Sequence, residues 1–277
     1  PKLRALFNKN DADPTWVELI ARDWTAPAGQ EPYRCLRKTM TETVYVSAFR
    51  TLSPAGTHHT VLSMAAPAGA DGPYDCSAGD LTHTMLFATG VGTDDLLFPD
   101  GVAVKVPAGQ QLNLNIHLFN SSGAAISGRT GTLVRLVPAV PVEREAEMIF
   151  GGDGTFMIPP NDTMYSASGN CSGLADGTTI TSIWPHEHQL GTHMKVEVMR
   201  GGQLFATLHD QPFDFDMQIQ WPIAPFTLRA GDVVRTTCTW NNTTNSAVGF
   251  GQSSNDEMCL SGLFLYPPRN GGLWCLF

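Results

Sequence analysis

The chain has 277 residues, a hydrophobic fraction of 42% and a formal charge of −9, from 17 basic and 26 acidic side chains. That length supports one large or two ordinary domains, and an acidic balance with no basic cluster argues against a nucleic-acid partner and for solubility. No apolar run reaches about 18 residues, so no transmembrane segment is expected, and the opening "PKLRALFNKNDADPTW" does not read as a signal peptide, which a mature chain would have lost.

In chain order, the first element is "DPTWVELIARDW" at 13–24, which predicts a short helix with Asp13 as cap and Pro14 in its first position. Thereafter the apolar period is two. "TETVYVSAF" (41–49), "QLNLNIHLF" (111–119), "HMKVEVM" (193–199) and "DVVRTTCTW" (232–240) alternate as half-buried strands do, and turn signals such as "PAG" and "RGG" bound them. Short strands with 27 glycines and 19 prolines predict an all-β, antiparallel β-sandwich architecture. In "LVRLVPAVPVEREAEMIF" (133–150) two prolines interrupt a strand-like run before a charged stretch, which divides the chain into 1–140 and 141–277. No internal repeat stands out.

Six cysteines, at 35, 76, 171, 238, 259 and 275, include no C-x-x-C pair, so zinc-ribbon and thioredoxin-like readings are poor. An even, scattered set favours disulfides in an oxidising compartment, with the chain secreted, periplasmic or extracellular; buried free thiols in a cytosolic protein are the rival. The triplets "NDT" at 161, "NCS" at 170 and "NTT" at 242 permit glycans without requiring them.

Five of the eight histidines fall in three clusters. In "QLNLNIHLFN", Leu112, Leu114, Ile116 and Leu118 share one strand face and Asn113, Asn115 and His117 the other, so His117 stands where a ligand would be presented. In "WPHEHQLG", His186 and His188 share a strand face; H-E-x-x-H fails because Leu190 holds the last position. In "GTHHTVL", His58 and His59 are neighbours, and both reach one ion only on a twisted or bulged strand, or through different ring nitrogens. His58, His59 and His117 together make one three-nitrogen set. His186 and His188 lack a third ligand, for which Met258, in "SSNDEMCL", is a soft candidate. A thioether suits Cu(I) and is a poor ligand for zinc, magnesium or calcium, so this set points to a copper that visits the cuprous state. Glu187, Asp256 and Glu257 read as solvated or supporting groups, and His83, His193 and His209 as structural or surface residues.

The chain resembles the copper type II, ascorbate-dependent monooxygenases, the family of peptidylglycine α-hydroxylating and dopamine β-monooxygenases. The resemblance rests on "YRC" (33–35), "THHTVL" (57–62), "NLNIHLFN" (113–120), "HEHQLG" (186–191) and "SSNDEMC" (253–259), in the family's order and with similar spacing over roughly residues 30–277. It implies two jelly-roll-like β-sandwich domains packed side by side, and two copper ions. His58, His59 and His117 would hold an electron-transfer copper, and His186, His188 and Met258 an oxygen-activating one. It further implies disulfides Cys35–Cys76, Cys171–Cys275 and Cys238–Cys259, the last fixing the backbone beside Met258. The implied reaction is hydroxylation of a substrate C–H bond: one atom of O2 enters the product, the other leaves as water, and ascorbate supplies two electrons. Two positions depart from the family. Gly262 stands where members place a tyrosine, and Trp184 where the amidating enzymes carry an arginine. Losing a phenol and a cation argues against a carboxylate-bearing peptide and for an aromatic or apolar small molecule, with Trp184 and Gly262 lining its pocket. A non-catalytic secreted copper-binding protein for storage, delivery or sensing is the main rival reading, and an adhesion or carbohydrate-binding β-sandwich the other.

Overall fold

The structure is a computed structural model and describes residues 15–77, 79–80, 84–90, 92–139, 142–251, 253–269 and 273–276. Asp13, Pro14 and His83 lie outside them. The chain forms two compact units, Pro1–Glu147 and Met148–Phe277. No helix occurs among the described residues, and none is long and apolar enough to cross a membrane.

The first unit contains β1 (Trp16–Ala26), β2 (Tyr33–Thr39), β3 (Val44–Leu52), β4 (Thr57–Ala65), β5 (Gly72–Asp75), β6 (Thr84–Gly90), β7 (Leu96–Leu97), β8 (Val102–Val106), β9 (Gln111–Leu118), β10 (Ile126–Val137) and β11 (Arg144–Glu145). One sheet runs β1-β10-β3-β8-β11, with β7 on β3; the other runs β5-β2-β9-β4-β6. Phe49 of β3 and Phe87 of β6, both fully buried, stack at 5.0 Å and join the two sheets in one core.

The second unit contains β12 (Glu147–Asp153), β13 (Met157–Ile158), β14 (Tyr165–Cys171), β15 (Thr179–His186), β16 (Gly191–Arg200), β17 (Gln203–Pro212), β18 (Trp221–Thr227), β19 (Val233–Trp240), β20 (Val248–Gly249), β21 (Cys259–Tyr266) and β22 (Trp274–Leu276). Its sheets run β18-β15-β21-β12-β22 and β14-β19-β16-β17, with a small β13-β20 pair. The inward faces interdigitate: Ile180, Ile183 and Leu263 from one sheet meet Met194, Val196 and Trp240 from the other. Among the described residues, β11 on β8 and β22 on β12 are parallel pairs. Because Arg144 and Glu145 still pair with Val102 and Ala103, the first unit continues beyond the proline-interrupted stretch near 140.

The helix expected over 13–24 is instead β1, paired with β10 along its whole length. A bulge explains the misleading pattern. The register slips between Glu18 and Ile20, so Trp16, Leu19, Ile20 and Trp24 all point inward. Spacings of three, one and four imitate a helical stripe, although a strand carries them. The Leu19 carbonyl at the bulge accepts a hydrogen bond from the Lys38 ammonium.

A repeat that the sequence did not show emerges from the sheets. The order β2-β9-β4-β6 in the first unit matches β14-β19-β16-β17 in the second. Gly56-Thr57-His58 opens β4 and Gly191-Thr192-His193 opens β16, while Ala108-Gly109 and Ala230-Gly231 precede β9 and β19. Gly109 and Gly231 adopt φ of 80° and 83°, which few other residues tolerate. After each of these strands an asparagine turns inward. Asn120 donates to the carbonyls of Ala26 and Ala124 and accepts from the N–H and hydroxyl of Ser122. Asn242 donates to Pro159 and Ser246 and accepts from the N–H and hydroxyl of Thr244. Asn242, fully buried, has no room for a glycan, whereas Asn161 and Asn170 are exposed.

The disulfides are Cys35–Cys76, Cys171–Cys275 and Cys238–Cys259, and no cysteine is free. Beside the last of these, three backbones meet without intervening side chains. A methyl group on Gly152 would strike the Cys259 carbonyl, and one on Gly169 would strike the Gly152 carbonyl.

Candidate metal centres

His58 and His59 lie on β4 and His117 on the adjacent β9. Thr57 pairs with Leu118, but the next pair is His59 with His117, so the register slips at His58. That bulge turns two consecutive side chains toward one side of the strand, as two neighbouring ligands require. The Nδ1 atoms converge: those of His58 and His59 are 3.2 Å apart, and those of His59 and His117 are 3.4 Å apart. One ligand atom from each of the three residues fits within a span of 4.8 Å. Nitrogens bound at about 2.0 Å to a common first-row ion stand about 3.3 Å apart when tetrahedral, so the spacing already suits one.

The surroundings hold this set in place. Tyr33 pairs with His117 across β2 and β9 and stacks on its ring at 4.4 Å, with 2° between the planes. Cys35, two residues on, ties β2 to Cys76. Burial pushes the Tyr33 hydroxyl up to about 12, so it stays protonated. The Glu31 carboxylate, partly exposed, lies 2.7 Å from Nε2 of His117, on the side of the ring away from the cluster. The face that carries Asn113, Asn115 and His117 is polar but not open. Asn113 and Asn115 are 2% exposed and donate to the carbonyls of Asp80 and Ser77.

The second set is built differently. His186 ends β15, and β15 pairs with β21 so that Pro185 opposes Ser261 and His186 opposes Leu260. Beyond this last pair, His188 N–H donates to the Glu257 carboxylate, so the segment that bears Met258 runs beside the one that bears His188. The two imidazoles are 5.3 Å apart and nearly perpendicular, at 88°. Each Nδ1 faces a carbonyl oxygen: that of Gln218 at 2.6 Å from His186, and the backbone oxygen of Asp256 at 3.0 Å from His188. With Nδ1–H donated there, each ring leaves the Nε2 lone pair for a metal. Gln218 is itself fixed. Its amide donates to Phe215 O, and its backbone carbonyl accepts Trp184 Nε1–H. Sequence patterns offered no route to Gln218, because nothing marks a glutamine in a turn as the partner of a histidine 32 residues away.

Of the two readings open for Glu187 and Glu257, solvated or supporting, burial excludes the first: both are fully buried. Glu257 accepts from the backbone N–H groups of His188, Leu190 and Met258 and from Trp240 Nε1. It thereby clamps the two ligand-bearing segments together. Burial still pushes its pKa up to about 7, against the pull of those donors. Among the described residues, no hydrogen bond reaches the Glu187 carboxyl oxygens. Burial, with the neighbouring Glu257 carboxylate, drives its pKa well above the usual range. The four donors around Glu257 favour its charged form and none reaches Glu187, so protonation is favoured on Glu187. Met258, half-buried, is pinned on both sides, by Glu257 and by the Cys238–Cys259 disulfide.

Trp184 and Gly262 face each other across β15 and β21 and are both buried. Trp184 stacks on His186 at 4.8 Å, so it restrains a candidate ligand ring. A Cβ on Gly262 would strike the Met148 methyl group and lie 3.4 Å from Phe150, so the space beside this glycine is filled from within the chain. His193 lies 3.0 Å from the Asp210 carboxylate and belongs to neither set.

Residues 146–275 match the family model described as copper type II ascorbate-dependent monooxygenase, C-terminal domain. The chain is 25% identical over 221 residues to the human "Putative DBH-like monooxygenase protein 2", covering 72% of this chain and 44% of that protein. It is 24% identical over 208 residues to the chicken "DBH-like monooxygenase protein 1", and 25% identical over 211 residues to the human protein of that name. Each match covers 68% of this chain and 34% of the relative, so the chain spans well under half the length of these proteins.

Proposed function

We propose, on the premise that this chain belongs to the copper type II ascorbate-dependent monooxygenase family, that it hydroxylates a C–H bond of a small organic substrate with O2 and an ascorbate-type reductant. The observation that carries this reading is the convergence of the three Nδ1 atoms of His58, His59 and His117 within one unit; in the other, the His186 and His188 rings stand 5.3 Å apart, and Glu257, next to Met258 in the chain, accepts the His188 N–H. The donor sets fit copper in both oxidation states: three imidazoles in one, and two imidazoles with a thioether, which favours Cu(I), in the other. Copper, when bound, supplies the one-electron redox steps and the O2 chemistry.

The chain's own groups do the rest. His58, His59 and His117, through the converging Nδ1 atoms, would hold one ion; His186 and His188, with the Met258 sulfur, would hold the other. Gln218 Oε1 and the Asp256 carbonyl keep both second-unit rings in the tautomer that ligates through Nε2. Trp184 stops the His186 ring from rotating, and Glu257 clamps the segments that carry His188 and Met258. Three disulfides with no free thiol support an oxidising, extracellular-type location. A non-catalytic copper-binding role is the second reading, favoured by the way Met148 fills the space beside Gly262.

Turnover separates the two. Copper-loaded protein with ascorbate and ¹⁸O2 should give product bearing one ¹⁸O atom from a panel of small aromatic and apolar molecules, and Met258→Ala should suppress it by orders of magnitude. Stoichiometric copper binding with no ascorbate-dependent O2 uptake across the panel would leave the second reading standing.

A further inference from the structure

A small cavity of about 70 Å³ in the second unit is lined by His209, Met217 and Trp221, with Pro185, Asp214 and Gln218 among its other walls. His209, on β17, is 6% exposed, and among the described residues its ring nitrogens make no hydrogen bond. Its ring nitrogens are not sealed from solvent, so a ligand in the cavity can reach one of them. The Trp221 indole, at the start of β18, meets the imidazole at 5.3 Å and 64°. Met217 sits in the turn between these strands, where its N–H donates to Asp214 O and its own carbonyl accepts Ile219 N–H. The turn leaves the thioether 55% exposed to solvent at the edge of the cavity.

We propose that His209, Met217 and Trp221 form a separate binding site for a soft monovalent cation, Cu(I), which Ag(I) also occupies. An imidazole nitrogen, a thioether sulfur and an aromatic face are the donors such an ion prefers. They are too few and too soft for calcium or magnesium, and they offer zinc no thiolate. His209, Met217 and Trp221 are themselves uncharged, and the Asp214 carboxylate, which accepts the Asp216 N–H with one oxygen, adds a negative charge to the cavity wall that favours a cation. Burial holds the His209 pKa down to about 4, so protons do not compete for its nitrogen at neutral pH. Gln218, the partner of His186, also lines the cavity. An ion taken up by the exposed sulfur therefore rests one side chain from the His186, His188 and Met258 set. This makes the cavity a loading station for that set, a role that rests on the copper reading above; the binding itself does not.

The test is an anaerobic titration of the full chain with Cu(I) against a coloured chelator, and with Ag(I) while following tryptophan emission. One equivalent beyond the two histidine sets is expected, with quenching that Trp221→Phe removes. Met217→Leu, an apolar exchange at an exposed position, should lose that one equivalent, and His209→Phe, which keeps the cavity filled, should do the same. If both variants bind as many ions as the parent chain, or if the parent shows no equivalent that depends on Met217, the site does not exist. Should His209→Phe fail to fold by circular dichroism, Met217→Leu alone decides. If the histidine sets bind no copper but a Met217-dependent equivalent persists, the binding site stands, and the loading role and the enzyme reading both fail.

Discussion

In the first unit the clustered histidines lie inside a sheet, on β4 and β9. In the second unit the matching strands are β16 and β19, where His193 pairs with Thr239, as His59 pairs with His117 in the first. No cluster forms there, and the second pair of histidines stands instead at the end of β15. One frame thus carries two ways of making a site. The first relies on backbone register, since a single bulge aims three nitrogens at one point. The second relies on side-chain hydrogen bonds, because His188 and Met258 lie beyond the paired ends of β15 and β21. Gln218, Glu257 and Trp240 supply what register supplies in the other unit.

If that contrast is right, substitutions in the hydrogen-bonded network should damage the second site and spare the first. Glu257→Gln is expected to do the most, because its amide group would confront the N–H donors of His188, Leu190, Met258 and Trp240. A loss of about 2–4 kcal/mol in unfolding free energy follows, measurable by denaturant titration of the metal-free chain. Glu187→Gln should behave oppositely. The folded-state pKa of Glu187 is raised, so the stability its protonated form confers is complete below the ordinary carboxylate range and is lost as pH rises from there. The variant should match the parent near pH 4 and be the more stable of the two at pH 8 in thermal melts. Equal pH slopes for the two proteins would show that Glu187 is not the buried proton carrier.

Gln218→Leu comes next. Removing the group that fixes the His186 tautomer typically weakens a metal site by about 10–100-fold, so competition titration should show that loss for one copper and none for the other. Equal weakening of both sites would break the contrast. The smallest effects are expected where the two units are alike. Asn120→Ala and Asn242→Ala should each cost about 1–2 kcal/mol, by similar amounts, because each asparagine bridges the same kind of turn. A large difference between them would mean that the shared frame is only superficial.

The strands were legible in the sequence because alternation survives wherever one face is buried, as in β16 and β19. β1 was not, because the bulge at Leu19 breaks the period on which the reading depends. The three histidine clusters could be found by spacing, and Met258 through the softness of its sulfur. The burial of Glu187 and Glu257 could not: a charged pair flanking ligands reads as a solvated rim until the opposing strand is known. The repeat was hidden because the units share only a few letters, such as Gly-Thr-His and Ala-Gly, while the order of four strands in one sheet is common to both.

The meeting of Gly169, Gly152 and the Cys259 carbonyl carries a further consequence. The resting place of the Met258 sulfur depends on two hydrogen atoms, at positions roughly a hundred residues upstream, that no larger substituent can replace. Alanine at either would act as a wedge, parting the layers and displacing the thioether without touching a single ligand. Loss of copper affinity by that route would masquerade as a defect in coordination chemistry, although its origin is purely steric.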